Sequence, residues 1–189
     1  MKKIRNIIIA LVILLLGIPQ VADAQRVSLS TNMLTWANLG TANLETSISV
    51  SRKFTVFAGA KYNPWDFRTS SQLPLHNKQI AGYVGSRYWP WHVYSGWWVG
   101  AKAQYQYFDQ AGLWSENLIN GHAVGLGLSV GYSIMIGSHV NLDIGLGGWG
   151  GRVLNYTAYK DRGGIDVDTA GSRNFIFLDN VIVAFAYIF

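Results

Sequence analysis

GHAVGLGLSVGYSIMI (residues 121–136) alternates with period two from end to end. Its even positions are His122, Val124, Leu126, Leu128, Val130, Tyr132 and Ile134. Its odd positions are Ala123, Gly125, Gly127, Ser129, Gly131 and Ser133. Successive side chains of a strand point to opposite faces, so this is a strand with one bulky apolar face and one small, hydroxylated face.

The same pattern recurs on both sides of it. Toward the C-terminus, Val140, Leu142, Ile144 and Leu146 oppose Asn141, Asp143, Gly145 and Gly147. In the last strand Phe177, Val181, Val183, Phe185, Tyr187 and Phe189 oppose Asn180, Ile182, Ala184 and Ala186. Upstream, Val99, Ala101, Ala103, Tyr105 and Tyr107 oppose Gly100, Lys102, Gln104 and Gln106. Residues 78–89 place Ile80, Val84 and Tyr88 outward and Arg87 inward. Phe54, Val56, Ala58, Ala60 and Tyr62 form one face of a strand, and so do Leu44, Thr46, Ile48 and Val50. Val27, Leu29 and Met33 oppose Ser28, Ser30 and Asn32 in the first strand. That makes about eight strands, an even number as bacterial single-chain barrels require. Connections at 51–53, 90–95 and 137–139 are short, whereas 64–77, 110–120 and 154–173 are long; only 38–41 is brief on the long side. The expected fold is all-β: a closed, antiparallel, up-and-down transmembrane β-barrel, with its short turns periplasmic.

Alternation does not say which face is inside. A soluble barrel would need Lys, Glu and Asp on its outer face. Here the polar face is mostly Gly, Ser, Ala, Gln and Asn, which suits the filled interior of a narrow barrel. The bulky face is therefore expected to meet lipid. Trp89, Trp91, Trp97, Trp98, Tyr187 and Phe189 at one end, and Trp65 at the other, are expected to form aromatic girdles at the membrane interfaces.

Totals agree with an exported membrane protein. Half of the 189 residues are hydrophobic and 13% are charged, against about 25% charged in soluble domains. Lys2, Lys3 and Arg5 precede an apolar run at 7–18 and then Ala22-Asp23-Ala24. This predicts a signal peptide over 1–24 and a mature barrel domain over 25–189. Removing three bases and one acid from the fifteen and ten present leaves twelve and nine, too small an excess to argue for nucleic acid. The absence of cysteine excludes disulfides, thiolate metal sites and a lipoprotein anchor.

Two resemblances follow from these residues. The final alternation ending in Phe189 resembles the C-terminal signal that the barrel-assembly machinery reads. Thr31-Asn32-Met33-Leu34 with Trp36, Asn43-Leu44-Glu45, Tyr62-Asn63-Pro64-Trp65 and Arg87-Tyr88-Trp89 resemble, in order and spacing, an uncharacterised family of small outer-membrane barrels of Bacteroides-type bacteria. That resemblance implies an OmpA/OmpX-like architecture, an outer-membrane location and no established activity. Family members near fimbrial genes imply a link to surface structures.

Candidate chemistry is sparse. Glu45 and Lys61, counted outward from the turn at Arg52, are expected to face each other inside the barrel, with Arg87, Lys102 and Asp143 as a second lumen group. Buried charges persist when paired. Gly145, Gly147 and Gly150 match a dinucleotide fingerprint, but no helical period follows, so no cofactor is expected. His76, His92, His122 and His139 lack metal-ligand spacing. The nearest sketch of an acyl-transfer triad is His122 with Ser115 and Glu116, types that recur by chance in loops. Trp114, Tyr156 and Tyr159 are candidate loop anchors, and Asp168-Thr169-Ala170 resembles a short O-glycosylation motif. The expectation is a non-enzymatic surface scaffold. Its partners would be outer-membrane lipid, lipopolysaccharide and a surface protein or glycan. A narrow channel and a lipid A-modifying enzyme are the alternatives.

Overall fold

The computed structural model describes residues 27–37, 40–64, 66–67, 75–111, 119–159 and 167–189. These comprise β1 (Val27–Asn32), α1 (Met33–Ala37), β2 (Ala42–Ser51), β3 (Phe54–Asn63), β4 (Asp66–Phe67), β5 (Leu75–Tyr88), β6 (Gly96–Ala111), β7 (Ile119–Met135), β8 (Val140–Tyr159) and β9 (Val167–Ile188). The strands form one antiparallel sheet. Because β3 pairs with β5 and β1 with β9, the eight longer strands close into an up-and-down barrel, and the two-residue β4 adds to β5 beyond them. The alternation predicted this architecture.

The register fixes the shape. A row of paired residues starts at Ser30 and passes through Glu45, Gly59, Tyr83, Gln104, Gly125 and Gly151 to Phe175. On β9 Ser30 itself faces Ala186. The row thus returns eleven residues away, one of them an extra residue at the bulge opposite Gly147 and Gly148. Such a stagger tilts strands by about 35–45° and leaves an interior that side chains fill.

Strand length grows round the ring, from 6 residues in β1 to 22 in β9. The wall is low at β1–β3 and tall at β7–β9. β8 and β9 reach Tyr159 and Val167, so most of the loop expected at 154–173 is ladder. Its sequence hid this, because the apolar alternation stops at about Leu154.

The first strand is also shorter than its alternation suggested. Met33 opens α1 instead of continuing β1. The Asn32 Oδ1 accepts from the Leu34 amide and from the Val183 amide, while its Nδ2 donates to the Val181 carbonyl. The Asn32 side chain therefore takes the place of further ladder against β9. Across the barrel wall, Asn43 Oδ1 accepts from the Asn32 amide and Asn43 Nδ2 donates to the Asn32 carbonyl. Trp36 Nε1 donates to Thr31 Oγ1, which donates to the Asn43 carbonyl.

Outside, Leu126 and Leu128 are 72% and 70% exposed, and Val56, Val84, Val99, Val130, Ile144 and Leu146 are exposed with them. Phe177 departs from the face expected for it. The bulge in β9 reverses parity, so Phe177 pairs with inward Trp149, while Ile176 and Leu178 point out.

Candidate functional site

The barrel is closed at its short-turn end. The turn at 89–95 folds across the opening, and Trp89, Val93, Tyr94, Trp98 and Ile188 pack there as one buried cluster. The Val93 amide donates to the Arg52 carbonyl, and Trp89 Nε1 donates to Thr55 Oγ1. Tyr94 has a positive φ of 63°, which aims its carbonyl at Ser133 Oγ and Asn141 Nδ2, both donors to it. Its hydroxyl meets the Ser47 Oγ at 3.1 Å, and burial raises its pKa above the ordinary tyrosine value. Trp98 lies against the backbone of β7 and β8 at Gly131 and Gly145. A Cβ on Gly131 would fall 2.4 Å from Trp98 Cζ2, so only glycine leaves room for the indole.

This corrects the girdle. Trp89 and Trp98 are 1% and 0% exposed and belong to the base, not to an outer belt. Period two already placed Trp98 opposite the outward Trp97, and Trp89 opposite Tyr88; clustering of aromatics at the turn was the misleading signal. Trp91, Trp97, Tyr187 and Phe189 do face outward. Trp65 lies outside the described residues.

Above the base sits a charged layer. Arg87 Nη2 contacts Glu45 Oε1 at 2.7 Å. The guanidinium lies between the rings of Phe57 and Trp98, 4.6 and 4.7 Å from their centroids. Tyr83 leans over Gly59 and hydrogen-bonds Glu45, and Asp143 is buried beside Ser133. The expected Glu45–Lys61 opposition is overturned by the register: Glu45 faces Gly59 and Lys61 faces Asn43. Glu45 and Gly59 each lie seven residues from Arg52, so the turn itself dictates this register, and Lys61, nine residues away, falls opposite Asn43. Arg87 therefore groups with Glu45 rather than with a separate lower set.

All five predicted lumen residues, Glu45, Lys61, Arg87, Lys102 and Asp143, border one cavity of about 50 Å³, which α1 roofs through Thr35. That volume holds only a few water molecules at about 10–15 Å³ each. From this layer a line of amides runs toward the loop end. Lys102 Nζ donates to Gln104 Oε1, Gln104 to Gln106, Gln106 to Gln79, and Gln79 to Thr41 Oγ1, which also accepts from Asn63. The sequence placed Lys102, Gln104 and Gln106 inward without revealing the line, because its order depends on inter-strand register. Toward the loop end Ala123, Trp149 and Val153 pack with Phe108, Tyr156 and Phe175.

The remaining candidates do not assemble. Tyr156 is half-buried against that upper cluster under the Arg173 guanidinium, not an exposed loop anchor. Tyr159 ends β8, and Thr169 lies in β9 opposite Ala158 rather than in a loop. Trp114, Ser115 and Glu116 lie outside the described residues. His122 faces outward and bonds the Tyr105 hydroxyl through Nδ1 at 2.7 Å. Gly145 to Gly150 lie within β8, which continues as strand to Tyr159. Among the described residues no three His, Asp or Glu side chains cluster as a metal site, and no helix is long and apolar enough to cross a membrane.

Fold and lumen together define a closed eight-stranded β-barrel whose interior is filled by its own polar side chains. The chain belongs to the family described as a protein of unknown function, DUF3575, whose model matches residues 9–189. No curated protein and no solved structure matches the chain.

Proposed function

We propose that the chain is an exported, non-enzymatic outer-membrane barrel that serves as a rigid surface platform. The observation that carries this reading is the outer face. On β7, ten residues separate outward Tyr132 from outward His122, with Val124, Leu126, Leu128 and Val130 between them. At ~3.3 Å per residue and a tilt of ~40° that is roughly 25 Å, the height of a barrel's lipid-facing band. On β3 eight residues separate outward Phe54 from Tyr62, and on β6 eight and ten separate Trp97 from Tyr105 and Tyr107. Among the described side chains of β2, β3, β6 and β7, none facing outward between these aromatic levels is charged. A soluble monomer rarely exposes an apolar patch beyond a few hundred Å².

The stagger and strand number support an OmpA/OmpX-like architecture, and the motif order supports a Bacteroides-type source. The tall β7–β9 wall would carry the platform beyond the membrane, where a surface protein or glycan would dock. The closed base favours a platform over a conduit: Arg87, which borders the polar cavity, rests on the buried Trp98 of that base. The test is the state of the purified mature chain. Folding that requires detergent or bilayer is expected, and a folded monomer in plain buffer would overturn the membrane reading. Planar-bilayer recording is expected to show no steady single-channel steps. Steps that vanish on changing Lys102 or Arg87 would replace the platform with the channel.

A further inference from the structure

Four neighbouring strands bring polar groups to one spot on the outside of the wall, just where the uncharged band ends. Tyr105 on β6, Val124 on β7 and Arg152 on β8 face one another in a row. His122 stands two residues above Val124, diagonal to Tyr105, and across a β-bulge it faces Asn155, three residues beyond Arg152. Diagonal neighbours on one face of a sheet lie ~7–8 Å apart. Tyr105 holds His122 through Nδ1 at 2.7 Å, and the Tyr107 ring lies 5.0 Å from the imidazole. The opposite ring nitrogen, Nε2, is left free to bond elsewhere. Arg152 is held by Ser172 Oγ on β9, 2.8 Å from Nη2, and is exposed. Asn174 faces Arg152 directly. Asp109, two residues beyond Tyr107 on β6, stands opposite Lys78.

A guanidinium and an imidazole on one outer face of the wall, each braced by a hydroxyl, suit a phosphate. Arginine prefers phosphate because its planar fork matches two oxygens at once. At the top of an apolar band an outward arginine meets headgroups rather than water or hydrocarbon. We propose that Arg152 and His122, the latter positioned by Tyr105, clamp the phosphate of an outer-leaflet lipid against the barrel wall. This rests on the membrane reading above and adds to it a defined lipid class and site.

The test uses the full mature chain in a nonionic maltoside micelle, read by native mass spectrometry. Phosphatidylglycerol, lipid A, diacylglycerol and inorganic phosphate are the added probes. Expected is one retained phosphorylated lipid per chain, with diacylglycerol at least tenfold weaker. Arg152→Ala and His122→Ala are each expected to weaken retention about tenfold or more, Arg152→Lys less. Leu128→Ala, in the middle of the band, should leave it unchanged. Heat-modified gel migration would report that each variant is folded. Equal retention of diacylglycerol, or unchanged retention by folded Arg152→Ala, would overturn the clamp while leaving the membrane reading intact. Preferential binding of inorganic phosphate over both phospholipids would overturn the lipid assignment. A chain that folds as a monomer without detergent would instead remove the membrane reading itself.

Discussion

Arg87 on β5 reaches across the lumen to Glu45 on β2, over the intervening β3, and closes on it at 2.7 Å. The pair ties opposite sides of a strand triplet that backbone bonds join only edge to edge. Glu45→Ala leaves a buried guanidinium held by two rings and no carboxylate at that distance. A loss of about 3–5 kcal/mol is expected, as when one partner of a buried pair is removed. Replacing both, as Glu45→Ala with Arg87→Met, should recover most of it. Guanidinium unfolding in detergent measures both, and equal midpoints for wild type and Glu45→Ala would rule the tie unimportant.

Trp98 needs the bare backbone of Gly131. A methyl there would sit 2.4 Å from the indole, so Gly131→Ala should cost about 1–3 kcal/mol through a displaced ring. Trp98 fluorescence would shift with it, although seven other tryptophans contribute. Gly137→Ala, where a Cβ meets nothing within 4 Å, is the matched control and should be close to neutral.

Leu128 lies at the middle of the outward band and is 70% exposed. If that band meets lipid, Leu128→Arg should destabilise the folded protein in a bilayer by about 2–4 kcal/mol. Leu154→Arg, beyond the upper aromatic level, should cost about 1 kcal/mol or less. Equal costs at the two sites would mean that the band does not mark depth.

Asn32 satisfies two backbone groups of β9, the Val181 carbonyl and the Val183 amide. Asn32→Ala strips both of partners and should cost about 1–3 kcal/mol. Hydrogen exchange at the Val183 amide is the local readout. Faster exchange there with slow exchange kept on β7 is expected; an unchanged rate at Val183 would deny the asparagine its part in the wall.

Much of the barrel was legible because its strands carry one bulky and one small face without interruption. Leu126, Leu128 and Val130 could hardly be read otherwise. The lumen was legible by residue but not by partner. Glu45 and Lys61 are both inward, yet a count of seven residues on each side of Arg52 sets Glu45 opposite Gly59, and the cation that Glu45 meets, Arg87, comes from a strand that is not its neighbour. Asn32 and Asn43 stood in the motifs that carried the family resemblance, but their interlock depends on where β1 stops. The one available clue was an asparagine beside Met33-Leu34-Thr35-Trp36, a possible cap before a short helical turn. Beyond about Leu154 the sheet leaves the apolar band, both faces become mixed, and period two loses its contrast.

The first and last barrel strands meet along a contact only five residue pairs long, Ser28 to Asn32 against Ala184 to Ile188. Every other junction between the eight barrel strands except the short one from β1 to β2 runs nine pairs or more. A cylinder built this way has its zipper at the terminal strands. During assembly few bonds remain to be made once the curled sheet has formed, and under mechanical pulling the N-terminal strand is the first piece to peel away.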